Sequence, residues 1–420
     1  MKKILLTLVL LFSVLGFAQQ GKIYPKNKKI KKGEVNTYIY EPPVGLEIPE
    51  NTWAVGNSNT FYLVSSPLTK KNNHYEFLMK FPVSDDLFLA KITNGKGQDI
   101  DYNNSNGYLI KLNHKLSKEK TLLKETPLWL LANNLSKEIR FQKQIDVYKQ
   151  VFNANPNLKK EYAYSDYLNL RFELNPEETK PDIIKHIEFL KNNTSSEGNM
   201  FYLSTFYNAI GMHEEAENTT ELLLKKFPKG NHAKNDFFEK YYQEPNKTEN
   251  FIRNKQKEYL SIFDDSTEDD LITFQFGLLE IYLKEKNLEK IAAIENYPVY
   301  KNKIANIYNS HAWTLSGEDL THPGTDLDFA ERLSKKTLEI VKYQMENPDY
   351  ESFSIRLSGN YNMFADTYAL ILYKQKRYQE AFDYQHQIAL QDELDTGGKE
   401  RYAAYAEKAK GLEFTKNYIE

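Results

Sequence analysis

The residues best spaced for chemistry lie in one loop. Asp99, Asp101, Asn103 and Ser105 stand at alternate positions, the spacing of the first oxygen ligands of an EF-hand calcium loop. Such a loop also wants glycine at its sixth position and a bidentate glutamate at its twelfth, where this chain has Asn104 and Ile110. Asx side chains build turns unaided by bonding nearby backbone, so the Asp99–Asn103 stretch is expected to form a hairpin turn rather than a metal site. The 8 histidines are scattered, with no His-Glu-x-x-His or other close pair among them. His311, in an aromatic and apolar helix, reads as a hydrogen-bonded core residue. Asp264-Asp265 and Glu268-Asp269-Asp270 form an acidic run, which reads as the solvated start of a helix, where the dipole favours acids. The triplet Asp265-Ser266-Thr267 looks like an O-glycosylation acceptor of some exported bacterial proteins. There is no nucleophile elbow, phosphate-binding loop or dinucleotide glycine fingerprint. With 0 cysteines, disulfides, thiolate catalysis and Cys-ligated zinc are excluded. The expected list of catalytic, cofactor-binding and metal-binding residues is therefore empty.

The elements that would carry these residues fall into two periods. From about Val35 to Leu112 the chain reads as short strands. Val35, Thr37 and Ile39 alternate with polar neighbours; Thr60 to Val64 is β-branched and aromatic; Tyr75, Phe77, Met79 and Phe81 share one face. Leu87 to Ile92 and Tyr108 to Leu112 add two more runs, and Pro42-Pro43, Asn72-Asn73, Asn94-Gly95 and Asn106-Gly107 supply turns. Short strands at close spacing with turn signals between them predict an antiparallel, Ig-like sandwich over 35–116. From residue 118 to 420 helical periodicity takes over. Phe141, Ile145, Tyr148 and Phe152 form a stripe that ends at Asn155-Pro156, and Pro181 opens a further helix with Ile183, Ile187 and Leu190 inward.

Within the helical part, Met200 to Pro228 resembles a tetratricopeptide repeat, a helix–turn–helix unit. Met200, Leu203, Ser204, Tyr207, Gly211, Ala216 and Pro228 stand in register with that motif. Gly211 would permit the turn, and Ser204 and Ala216 are small where two helices meet. Tyr368, Ala369 and Leu372 followed by Arg377 to Ala381 form a second unit, with Lys376 where glycine is usual. Phe276 to Ile294 is a third, turning at Lys286-Asn287, and Ile304–Leu315 with Leu327–Met345 a fourth pair. The expected fold class is α+β and multidomain: an N-terminal antiparallel β-sandwich, then an α-helical TPR-like solenoid.

Lys2 and Lys3, the uncharged apolar run Ile4–Phe17, and Gly16 and Ala18 before Gln19 have the pattern of a secretory signal peptide cleaved after Ala18. Residues 19–34, with 6 lysines from Lys22 to Lys32, then read as a basic, flexible leader. The chain is expected to be exported, periplasmic or secreted, with no transmembrane segment. Its 420 residues carry 55 basic and 58 acidic side chains, a formal charge of −3 that gives no strong field for nucleic acid. Its 30 tyrosines and 24 phenylalanines argue for packed rather than disordered chain.

The order of parts carries a wider resemblance. A leader, a sandwich with the loop Asp101–Tyr108, Phe227-Pro228-Lys229-Gly230 after the repeat, Asn309–Trp313 and Ala365–Tyr368 are similar to the Ig-like and TPR-like front portion of exported bacterial thioredoxin-like (TlpA/AhpC-type) proteins. There a thioredoxin domain follows; here there is no Cys-x-x-Cys, so the redox activity does not carry over. The repeat signal points to a non-enzymatic module without cofactor, holding a protein or peptide partner on its helical repeats, and the resemblance makes a thioredoxin-like protein one candidate. The alternatives left by the residues are an accessory subunit of a thiol–disulfide system, a hydrolase using carboxylates, and a glycan-binding helical protein.

Overall fold

The computed structural model describes residues 20–419, apart from 96, 134, 264–267, 296–303, 348–356 and 392–393. The expected signal peptide, residues 1–18, and the Asp265-Ser266-Thr267 triplet lie outside the described residues. The chain divides into two compact units, one reaching Ala233 and the other starting at Lys234.

Among its described residues, the first unit opens with nine strands in two antiparallel sheets. One sheet has the order β1 (Lys22–Pro25), β2 (Asn36–Glu41), β6 (His74–Met79), β5 (Thr69–Lys71). The other has β4 (Leu63–Pro67), β3 (Thr52–Ser58) and β7 (Leu87–Asn94) in that order. Both β8 (Asp99–Asp101) and β9 (Tyr108–Lys111) pair with successive parts of β7. Tyr38, Tyr40, Phe77 and Met79 of one sheet share a core with Ala54, Val64, Phe88 and Ile92 of the other. Two expectations are corrected here. The inward face of β2 is Tyr38 and Tyr40, both fully buried, while Val35 is exposed. The rings decide the register: Tyr38 stacks on Phe77 at 5.5 Å and meets Phe88 edge-on at 5.3 Å. The leader is not loose either, because Lys22–Pro25 pairs antiparallel with β2. Lys26 also binds Glu76 at 2.8 Å, and Gly33 N–H donates to Phe81 C=O at 3.1 Å.

β7 opens with the apolar run Leu87–Ala90 because both of its faces are covered there. Phe88, Ala90 and Ile92 face the sandwich core, while Leu87 and Leu89 pack with Leu128 of helix α1 (Lys118–Ala132). Strands and first helix thus pack together within the first unit. Five more helices follow in this unit: α2 (Lys137–Ala154), α3 (Tyr162–Leu174), α4 (Pro176–Lys191), α5 (Glu197–Ala209) and α6 (His213–Lys226). Ser117 and Ser136 cap α1 and α2 through their hydroxyls. α4 begins at Pro176, with Pro181 inside it rather than at its start. Asn175 C=O already accepts from Thr179 N–H at 3.1 Å, so the first turn is complete before Pro181.

Helix α7 (Asn231–Gln243) holds the boundary between the units. The second unit continues with α8 (Glu249–Ile262), α9 (Glu268–Lys284), α10 (Leu288–Glu295), α11 (Ile304–Ser316) and α12 (Leu327–Glu346). It ends with α13 (Leu357–Lys374), α14 (Tyr378–Gln391), α15 (Thr396–Lys410) and α16 (Leu412–Ile419). One turn recurs. After α5, Gly211 N–H donates to Asn208 C=O and Met212 N–H to Tyr207 C=O, at 3.1 and 2.9 Å. After α9, Lys286 and Asn287 make the same bonds to Leu283 and Tyr282, at 3.1 and 2.9 Å. After α13, Lys376 and Arg377 bond Tyr373 and Leu372, both at 2.9 Å. This is the Schellman pairing, which needs a left-handed residue at its pivot, and the pivots have φ of 86° (Gly211), 54° (Lys286) and 65° (Lys376). The next helix starts two residues on each time, and Ala216, Ile291 and Ala381 are buried at equivalent places. The chain therefore repeats one helical hairpin. Among the described residues, no helix is long and apolar enough to cross a membrane.

Candidate functional site

The loop singled out in the sequence is a six-residue excursion, 102–107, between two strands that pair with the same neighbour. Gly107 N–H donates to Tyr102 C=O at 3.0 Å and pinches it shut. Asn103, Asn104 and Ser105 all have positive φ, 49°, 54° and 64°, a conformation that costs roughly 1–2 kcal/mol for each non-glycine residue. The surroundings hold it there. Trp129 Nε1 donates to Ser105 C=O at 2.8 Å, Asn133 Nδ2 to the same oxygen at 3.3 Å, and Asn103 Nδ2 to Gly107 C=O at 2.8 Å. At Gly107, also left-handed at 68°, an added Cβ would lie 2.5 Å from Leu89 Cδ1, so only glycine fits.

The expected ligand oxygens are otherwise engaged. Asp101 is buried, and its Oδ2 accepts the hydroxyls of Tyr40 and Tyr108, each at 2.6 Å. Its Oδ1 accepts Asn103 N–H at 2.9 Å, which is the Asx turn. Burial and this carboxylate push both phenols far above their ordinary range. Asp99 pairs with Lys91 at 2.7 Å. The loop's work is thus to shape backbone.

What it shapes is a cavity of about 640 Å³ between the loop, β7, β9, α1 and α2, within the usual size range of ligand pockets. Glu125, Thr126, Trp129 and Leu130 line it from α1, and Lys143, Asp146 and Val147 from α2. The spacings i, i+1, i+4, i+5 and i, i+3, i+4 put each set on one helix face. Leu89 and Leu109 form the sheet side, and Asn103 and Asn106 the rim. Lys143 holds its ammonium 5.4 Å from the centre of the Trp129 ring. Glu125 is half-buried, and burial raises its carboxyl above the ordinary value, with Lys111 pulling the other way. The arrangement combines apolar walls, a few convergent polar groups and a strained loop, which is the chemistry of holding a ligand.

The other sequence candidates lie elsewhere. His311 is half-buried against Phe329, its ring 6.2 Å away, and it has no hydrogen bond among the described residues. Burial first, then Lys284 and Lys286, lowers its pKa. The hydrogen-bonded core histidine is instead His186 of α4, whose Nε2 lies 2.9 Å from Ser165 Oγ of α3. Both are buried, Tyr164 and Phe189 enclose the ring, and burial lowers the imidazole to about 4. The pair has nucleophile–base spacing but sits inside an aromatic core. The acidic run does open a helix, since α9 begins at Glu268. Among the described residues no group of three or more His, Cys, Asp and Glu could hold a metal ion. No family model matches this chain, and no curated protein matches it.

Proposed function

We propose that the chain is a non-catalytic binding protein of the bacterial cell envelope, in which an Ig-like sandwich and TPR-like helical hairpins hold a protein or peptide partner. The observation that carries this reading is the helical hairpin repeated with one turn geometry at Gly211, Lys286 and Lys376. Stacked hairpins of this kind build extended binding surfaces. The resemblance to the front portion of exported thioredoxin-like proteins points the same way, and with 0 cysteines any thiol chemistry would belong to the partner.

The test is affinity capture from envelope extract with the chain from residue 19 as bait, followed by lysine cross-linking and mass spectrometry. The expected result is a partner enriched over an unrelated exported bait, with cross-links on the helical residues after 118. A partner carrying Cys-x-x-Cys would make this chain an accessory of a thiol–disulfide system. No enrichment, or cross-links confined to the strands, would defeat the reading.

A further inference from the structure

We propose that the cavity under the 102–107 loop is an arginine pocket, taking a guanidinium-bearing side chain of the bound peptide. This deepens the binding reading above and rests on it.

The polar groups on the cavity wall are mostly acceptors still in need of donors. Asn103 Nδ2 gives one of its two protons to Gly107 C=O, and Asn106 Nδ2 gives both of its own to the carbonyls of Asn103 and Asn104, which leaves each amide Oδ1 free to accept. Thr126 donates its hydroxyl to Leu122 C=O at 2.7 Å, so only its lone pairs remain. The Glu125 carboxyl makes no hydrogen bond or ion pair among the described residues, although it is half-buried. A half-buried carboxylate without a donor is costly, and a bound cation would relieve that cost. A guanidinium matches this set: it is planar, carries five N–H donors and no acceptor, and stacks on aromatic rings. The Trp129 ring already takes a cation, the Lys143 ammonium at 5.4 Å. Leu89, Leu109, Leu130 and Val147 supply apolar wall for the methylene stem. A carboxylate ligand would face four acceptor groups and the two wall carboxylates Glu125 and Asp146 against the single Lys143 ammonium, and a purely apolar one would strand Glu125 without a partner.

The test uses the chain from residue 19 and three capped tripeptides, each with leucine on either side of a central arginine, citrulline or norleucine. The Trp129 indole signal is followed by NMR, assigned through Trp129→Phe. The arginine peptide is expected to shift that signal saturably, and the uncharged isostere citrulline to bind about tenfold more weakly or worse. Glu125→Gln is expected to weaken the arginine peptide by a similar factor with no loss of thermal stability, and Val147→Trp to abolish binding by filling the space. Equal binding of arginine and norleucine peptides, no saturable shift with any, or full affinity in Glu125→Gln would overturn the proposal. The two readings fail separately. If the wild type captures a partner and Val147→Trp retains it undiminished, the pocket assignment falls and the binding module stands. If nothing is captured while the arginine peptide still binds through Glu125, the reverse holds.

Discussion

Glu331 gathers donors from its own helix and from the α13–α14 turn: Lys335 at 2.9 Å, Arg377 at 2.8 Å and Gln375 at 3.0 Å. Burial alone would raise its carboxyl, but these hydrogen bonds outweigh that and hold it at about 2, against 4.5 ordinarily. In the folded state it therefore gives up its proton more readily than in the unfolded state. The stabilisation is fully present above about pH 4.5 and is lost as pH falls toward about 2. Glu331→Gln is expected to cost roughly 2 kcal/mol at neutral pH, after allowing for solvent screening, and the cost should vanish in acid. Thermal unfolding across pH reads this directly. Asp166 has the opposite sign. Burial raises its pKa although the hydroxyls of Tyr202 and Tyr148 offset part of the effect. Its protonated form is favoured in the folded protein, so stability is greatest below the ordinary aspartate value and declines as pH rises through the raised one. Asp166→Asn should thus gain on the wild type as pH increases, and an unfolding difference flat with pH would refute the assignment.

The repeated turn makes its own demand at the element scale. Lys376 carries a side chain at φ 65°, where a Cβ costs about 1 kcal/mol relative to glycine. Lys376→Gly is expected to raise stability by about that amount in denaturant unfolding. Lys286→Gly should gain less, since Lys286 also pairs with Asp326. These turns were legible in the sequence because the apolar spacing on either side of Gly211, Lys286-Asn287 and Lys376 repeats. The β region was less so. Thr60 to Val64 read as one strand, but Phe61 adopts φ 61° and the strand starts at Leu63. Thr52–Ser58 and Lys22–Pro25 were missed as strands. Thr52–Ser58 mixes glycine and polar residues yet is central, paired on both sides, and such pairing is tertiary context that local pattern does not carry. The face of β2 was misread because tyrosine looks amphipathic in sequence, whereas Tyr40 is buried with its hydroxyl on Asp101 at 2.6 Å.

At the scale of the whole molecule, the sequence marked the 99–105 stretch as a turn, which it is, but gave no sign of the cavity beneath it. The cavity was invisible there because its walls come from β7, the 102–107 loop, β9, α1 and α2. They meet only because α1 packs on the outer face of β7 through Leu87, Leu89 and Leu128. Nothing in the spacing of Glu125, Thr126 and Trp129 announces that a strained loop will sit above them; the Trp129–Ser105 hydrogen bond of 2.8 Å is a product of the fold. The leader's lysines show the same limit, since a basic run says little about whether its backbone has a strand to pair with, as Lys22–Pro25 does. On the function proposed above, the chain is a scaffold that binds rather than reacts, with a cavity lined by β7, β9, α1 and α2. Hydrogen–deuterium exchange of the chain from residue 19, alone and with its captured partner, tests this most directly. Protection is expected in the 102–107 loop and in helices Lys118–Ala132 and Lys137–Ala154, extending into the helical hairpins that follow. A partner that leaves exchange in all of these segments unchanged would contradict the account.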